Sequence, residues 1–177
     1  MNSKNTSKNE EAFYRLDNGI LLKLPRNKRY ELLGEISSLL LASKLHRKYL
    51  INDIGAVFLP PIHLNQFRIY KNKAGDPIAL VTWAFFSKEI EEKYLTKKYL
   101  LQPKDWKSGD RLWSIDFLAP FGHMKMVSKD LRNNVFPDAH GKSVRITEDG
   151  EIKGIYDWYG INYQKNKKKE VNKGEEK

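Results

Sequence analysis

The chain has no cysteine among its 177 residues, and that single absence removes a disulfide framework, a thiolate metal site and a cysteine nucleophile. It also fits a reducing compartment, so a cytoplasmic protein is expected. No stretch offers the roughly 18 uninterrupted apolar residues of a membrane span, so no stable membrane insertion is expected. The opening "MNSKNTSKNEEAF" has no apolar core of a secretory signal. Neither H-E-x-x-H nor G-x-S-x-G occurs, nor a P-loop nor G-x-G-x-x-G, so neither a metal nor a bound cofactor is expected.

What is abundant is positive charge, 32 Lys and Arg against 22 Asp and Glu, for a net charge of +10. Residues 1–12 are neutral with two Lys and two Glu, and residues 164–177 hold six Lys against three Glu, which leaves +7 on residues 13–163. A folded surface this basic points to an acidic partner, be it nucleic acid, anionic lipid or acidic protein, or else serves solubility alone.

With 40% hydrophobic residues the chain has enough apolar surface for one packed domain and is short for two. The polar start and the lysine-rich end "QKNKKKEVNKGEEK" lack the apolar groups that would offset chain entropy. We therefore read residues 1–27 as a largely disordered extension, 28–163 as the domain, and 164–177 as a disordered tail.

Within the domain, "YELLGEISSLLLAS" (30–43) carries Leu32, Leu33, Ile36, Leu39 and Leu40 at helical spacing. "INDIGAVFLPPIHLN" reads as a short helix or turn leading into a strand. "QFRIYKN" and "PIALVTWAFF", separated by "KAGD", have the composition of a hairpin. "SKEIEEKYLTK" reads as a helix, "DRLWSIDFLAP" as a strand, and "HMKMVSKDLRNNVF" as a helix closed by Pro137. "KSVRITEDGEIKGIYDWYG" splits at Asp149-Gly150 into a second hairpin. This order gives an α/β or α+β domain on one mostly antiparallel sheet flanked by helices.

Two residues stand out chemically. His46 follows the apolar run "LLLASKLHRKYL", with Ser43 three positions before it and so on the same face if the helix continues. A lone histidine at a helix end often serves only as a dipole partner. Asp116 interrupts the apolar "LWSIDFLAP", and strand alternation puts it on one face with Ser114 and Leu118, with Trp113, Ile115 and Phe117 on the other. Such a carboxylate is either paired with a cation or functional, because an unpaired buried charge is costly. His63, His123 and His140 fall in turns or at a helix start and are weaker candidates.

The blocks "ELLGEISSLLLASKLHRKYL", "FLPPIHLNQFRIY", "PIALVTWAFFSKEIEEKYL" and "DWKSGDRLWSIDFLAPFG" resemble the RTX toxin-activating lysine acyltransferases, the C proteins that activate pore-forming protoxins. The resemblance runs from about Glu31 to Tyr159, with Lys44 where the family has proline. It implies a fold similar to GCN5-related N-acetyltransferases and a cytoplasmic homodimer. It implies transfer of a fatty acyl chain from an acyl carrier protein, the donor co-substrate, to internal lysines of an RTX protoxin. The family's essential histidine and aspartate fall on His46 and Asp116, and Ser43 matches its serine.

The implied chemistry suits these residues. A lysine amine with a reference pKa near 10.4 is almost wholly protonated at pH 7, a penalty of roughly 4.6 kcal/mol. Histidine is neutral often enough there to take that proton, and a carboxylate beside it can orient the ring or steady its cation. The CoA pyrophosphate loop R/Q-x-x-G-x-G/A is not visible, which favours an acidic carrier protein over free CoA. Arg47, Arg111 and Arg145, in or near the matching blocks, are candidate donor-binding residues.

A basic nucleic-acid-binding module without enzymatic activity is the alternative, with aromatic residues stacking on bases. Trp83, Phe85, Trp113 and Phe117 alternate as a core face would, however, and no RNP-like motif accompanies them, so a nucleic-acid partner is not expected.

Overall fold

A computed structural model describes residues 14–15, 21–22, 26–96, 99–147 and 152–163. Of the first 27 residues, Tyr14–Arg15 (β1) and Leu21–Leu22 (β2) form an antiparallel pair. Arg26 and Asn27 already belong to the first long helix, and the expectation of disorder there, like that for 164–177, otherwise falls on residues outside the described ones.

The helix expected over 30–43 spans Arg26–Ala42 (α1). Its apolar stripe does what the spacing implies, since Leu32, Ile36, Leu39 and Leu40 are all buried. The next stretch is helical throughout, as Ile51–Asp53 (α2), a wider π turn over Ile54–Phe58, and Leu59–His63 (α3). Pro60 and Pro61 follow directly on the π turn, so the helical hydrogen-bond ladder changes where their missing N–H groups fall.

Both hairpins form. Phe67–Lys71 (β3) and Pro77–Phe86 (β4) pair antiparallel around a turn held by the Asn72 carboxamide, with Gly75 at φ 94°. Helix Lys88–Tyr94 (α4) follows, capped by the Ser87 hydroxyl, which accepts the Ile90 N–H at 3.2 Å. Strand Arg111–Leu118 (β5) leads into helix Met124–Asp130 (α5) and a π turn over Leu131–Val135. His140–Ile146 (β6) and Ile152–Tyr159 (β7) close the second hairpin, whose Asp149-Gly150 turn lies outside the described residues.

The main sheet has the order β3-β4-β5-β6-β7, antiparallel except for β5 and β6. This is the expected α+β domain on a mostly antiparallel sheet, consistent with a GCN5-related N-acetyltransferase-like fold. Helix α1 and the α2–α3 segment cover one face through Leu80 and Leu118. Helix α5 covers the other through Val81, Trp83 and Leu112. The "SGD" turn before β5 is structural: the Ser108 and Gly109 N–H groups both donate to the Phe85 carbonyl, at 2.9 and 3.0 Å. A side chain at Gly109 would meet the Phe86 carbonyl oxygen at 2.6 Å, so only glycine fits there without a backbone shift.

One expectation is overturned. Leu80 pairs with Leu118 and Val81 with Phe117, but Trp83 pairs with Ser114, so Ile115 and Asp116 together face Thr82 alone. This β-bulge breaks the alternation. Asp116 lies on the α1 face with Leu118, and Ser114 falls on the opposite face beside its partner Trp83. The aromatic series splits likewise: Trp83, Phe85 and Phe117 pack on the α5 side, and Trp113 packs with Phe86 and Trp106. Trp83 and Trp113 are buried, which removes them as a stacking platform for bases.

Candidate functional site

Helix α1 stops at Ala42 with no glycine or proline after it. Its last carbonyls, of Leu39 and Leu40, accept the Ser43 N–H at 3.1 Å each, and the chain then turns through a 3-10 segment, His46–Lys48. Arg47 N–H donates to the Ser43 carbonyl at 3.0 Å and Tyr49 N–H to the His46 carbonyl at 2.9 Å. This tight turn carries the His46 side chain inward, against the sheet, where it is 8% exposed.

Three groups meet around the imidazole. The Ser43 hydroxyl is hydrogen-bonded to His46 Nδ1 at 2.7 Å. His46 Nε2 faces Asp116 Oδ1 at 3.6 Å, and the aspartate side chain is also 8% exposed. Tyr49 packs edge-on to the imidazole with ring centres 5.2 Å apart. Asp116 itself is fixed by its backbone, whose N–H donates to the Thr82 hydroxyl at 3.1 Å across the bulge.

The 3.6 Å separation is too long for a direct hydrogen bond. Asp116 Oδ2 is buried and has no hydrogen-bond partner among the described residues. A carboxylate oxygen shut away from water without a donor is unfavourable unless a cation or donor arrives to satisfy it. Burial, and then the nearby Asp116 charge, hold the Tyr49 and Tyr94 hydroxyls well above the usual phenol range. Both therefore stay protonated at neutral pH.

A few residues before the site, the β5–β6 ladder runs only from Leu112↔Gly141 to Ser114↔Ser143. Beyond it the two parallel strands part beside Asp116. Among the described residues no cluster of three or more His, Cys, Asp or Glu side chains could hold a metal ion, and no helix is long and apolar enough to cross a membrane.

The three candidate donor-binding arginines lie on separate elements. Arg47 is exposed in the turn next to His46. Arg111 donates to Glu91 at 2.8 Å, and Arg145 on β6 sits over the Tyr156 ring. Of the other histidines, His63 ends α3, His123 precedes α5, and His140 pairs with Asp157. Sequence reasoning missed Thr82, Tyr49 and Tyr94. Thr82 had a signal as the lone hydroxyl in "IALVTWAFF", and Tyr49 lies in the same short stretch as His46.

Residues 26–159 match the model of the RTX toxin acyltransferase family. The RTX-I toxin-activating lysine-acyltransferase ApxIC of Actinobacillus pleuropneumoniae is 38% identical over 131 residues, 74% of this chain and 75% of that protein. The protein-lysine myristoyltransferase HlyC of Escherichia coli is 35% identical over 134 residues, 76% of this chain and 78% of that one. An uncharacterized Synechocystis protein, sll0720, is 38% identical over 122 residues, 68% of this chain and 83% of that one. Match and fold together make the chain an acyltransferase that belongs to the RTX toxin acyltransferase family.

Proposed function

We propose that this enzyme moves a fatty acyl chain from the thioester of an acyl carrier protein to the ε-amino group of internal lysines of an RTX protoxin, activating it. The observation that carries the reading is the meeting of His46, Ser43 and Asp116 around a buried carboxylate oxygen that has no donor among the described residues. A lysine ammonium is the group that would satisfy it.

In this scheme the Ser43 hydroxyl accepts from Nδ1–H and so leaves the Nε2 lone pair toward Asp116. The substrate ammonium enters between Nε2 and the carboxylate, held by the charge of Asp116. His46 takes one proton, and the freed amine attacks the thioester carbonyl carbon. Backbone N–H groups on the edge of β5 that β6 has left are the candidate donors to the tetrahedral oxyanion. Its collapse breaks the carbon–sulfur bond: the departing thiolate takes the proton held by His46, and the attacking nitrogen sheds its second proton to water, so that the imidazole is neutral again. The amide is left on lysine. Work as a homodimer in the cytoplasm is part of the same reading.

The test is mass spectrometry of a cognate protoxin co-expressed with the wild-type chain or with His46→Ala. Wild type should add a fatty acyl mass to lysine, and a folded His46→Ala protein should not. Equal acylation by the two would refute the assignment of the base, and absence of acylation by the wild type would refute the function.

A further inference from the structure

Along α5, on the sheet face opposite His46, runs a cavity of about 490 Å³ lined by Met124, Lys125, Lys129, Arg132, Asn133 and Ile161 among others. Met124, in its lining, leaves a large apolar side chain in water at 56% exposure, and Phe121 and Met126, on the same stretch of chain, are exposed as well. Lys125 and Lys129 lie one turn apart, are exposed, and have no carboxylate partner among the described residues. The neighbouring acid does not neutralise them. Asp130 accepts from Tyr70 and Asn134 at 2.8 Å each and pairs with Arg68 at 3.0 Å.

We propose that this groove is where the acidic acyl carrier protein docks, its carboxylates on Lys125 and Lys129 and an apolar side chain against Met124 and Ile161. The inference rests on the donor reading above and names the surface that serves it. Charge selects the occupant: a second copy of a chain with net charge +10 would bring like charge to the groove, whereas an acidic protein brings its complement.

Position supports the same assignment. The chain leaves β5 at Leu118, two residues past Asp116, and enters α5 at Met124. Even fully extended, the residues from Asp116 to Met124 span no more than about 29 Å, and the turn closed by the Gly122 N–H on the Ala119 carbonyl shortens this. A carrier protein presents its acyl group on a long flexible arm, so it can dock here without touching His46. The parting of β5 and β6 beside Asp116 offers the arm a way across the sheet. The protoxin lysine then has the α1 face to itself, and the two macromolecules do not compete for one surface.

The experiment compares wild type, the double reversal Lys125→Glu/Lys129→Glu, and a control reversal Lys73→Glu/Lys153→Glu of equal charge change on other elements. Acyl transfer to a lysine peptide is measured from tetradecanoyl-loaded acyl carrier protein and from a tetradecanoyl pantetheine thioester without the protein, and binding to vesicles rich in phosphatidylserine is measured beside it. The α5 reversal should raise KM for the carrier-bound donor at least roughly tenfold, leave kcat close to wild type, and leave transfer from the small thioester unchanged. The control should do neither. Carrier kinetics the same in both reversals, with the wild type active on the carrier, would overturn the docking surface alone. Loss of vesicle binding with unchanged carrier kinetics would overturn it in favour of a lipid surface. A wild type that takes acyl groups from the small thioester but not from the carrier would overturn both this proposal and the donor reading beneath it.

Discussion

Ser43, not Asp116, makes the hydrogen bond to the imidazole of His46: its hydroxyl is 2.7 Å from Nδ1, whereas the nearest Asp116 oxygen is 3.6 Å from Nε2. In the proposed mechanism the orienting job and the electrostatic job are thus divided between two residues. A carboxylate that both orients and charges the ring, as in a serine-protease triad, would sit closer.

Ser43→Ala tests the first half of that division. It removes the group that fixes ring rotation and tautomer, while the Leu39 and Leu40 carbonyls keep their bonds to the backbone N–H of residue 43. Activity should fall about 10²-fold, the scale on which a misplaced group costs rate, with melting temperature within a few degrees of wild type. Unchanged kcat in a folded Ser43→Ala protein would remove serine from the mechanism.

A second buried carboxylate, Glu91, has no place in the chemistry and a clear one in the fold. It accepts from Lys142 at 2.8 Å, Trp113 at 2.9 Å and Arg111 at 2.8 Å, and so ties α4 to β5 and β6 where those strands still pair. Burial pushes its pKa up, but the hydrogen bonds from Lys142 and Trp113 and the charges of Lys142 and Arg111 outweigh it and hold the carboxyl below its usual range. A folded pKa below the unfolded one means stability present above about pH 4.3 and lost as pH falls through the folded value. Glu91→Gln should therefore be less stable than wild type at pH 7, by about 1–3 kcal/mol, and the gap should close in acid. Urea unfolding of both proteins across pH 3–7 measures it. A gap independent of pH would show that Glu91 acts by packing alone.

Salt should separate encounter from chemistry. If basic residues steer an acidic carrier, added salt lowers kcat/KM for the carrier-bound donor through slower association, and kcat at saturating donor changes less. Equal loss in both parameters would count against steering.

Much of this was legible in the sequence because local pattern and tertiary structure agree there. Leu32, Ile36, Leu39 and Leu40 announced α1 by their spacing, and "KAGD" announced the β3–β4 turn. The face of Asp116 was not legible, since a bulge inserts one residue without any mark in composition, and one residue reverses which side a side chain takes. Nor was Arg111 as a partner of Glu91, because that ion pair joins α4 to β5 and depends on how the helix docks. The unpartnered Oδ2 lay beyond reach for the same reason: partners of a buried oxygen are a property of the packed fold.

Asp116→Asn tests the second half of the division, because it keeps size and hydrogen-bonding capacity and removes the charge. The unpartnered Oδ2 makes the expectation sharper than loss of activity alone. If the carboxylate waits for the substrate ammonium, the asparagine variant should raise KM for the acceptor lysine as well as lower kcat, while KM for the acyl donor stays close to wild type. Stability should not fall, since the substitution takes away a buried charge whose only ionic neighbour among the described residues is the 3.6 Å His46 contact. If instead Asp116 and His46 form a structural ion pair, breaking it should cost about 3–5 kcal/mol, and activity should fall only in step with folded protein. Melting temperature and both Michaelis constants, measured on one preparation, decide between the two. A badly destabilised Asp116→Asn protein with normal turnover per folded molecule would remove Asp116 from the chemistry.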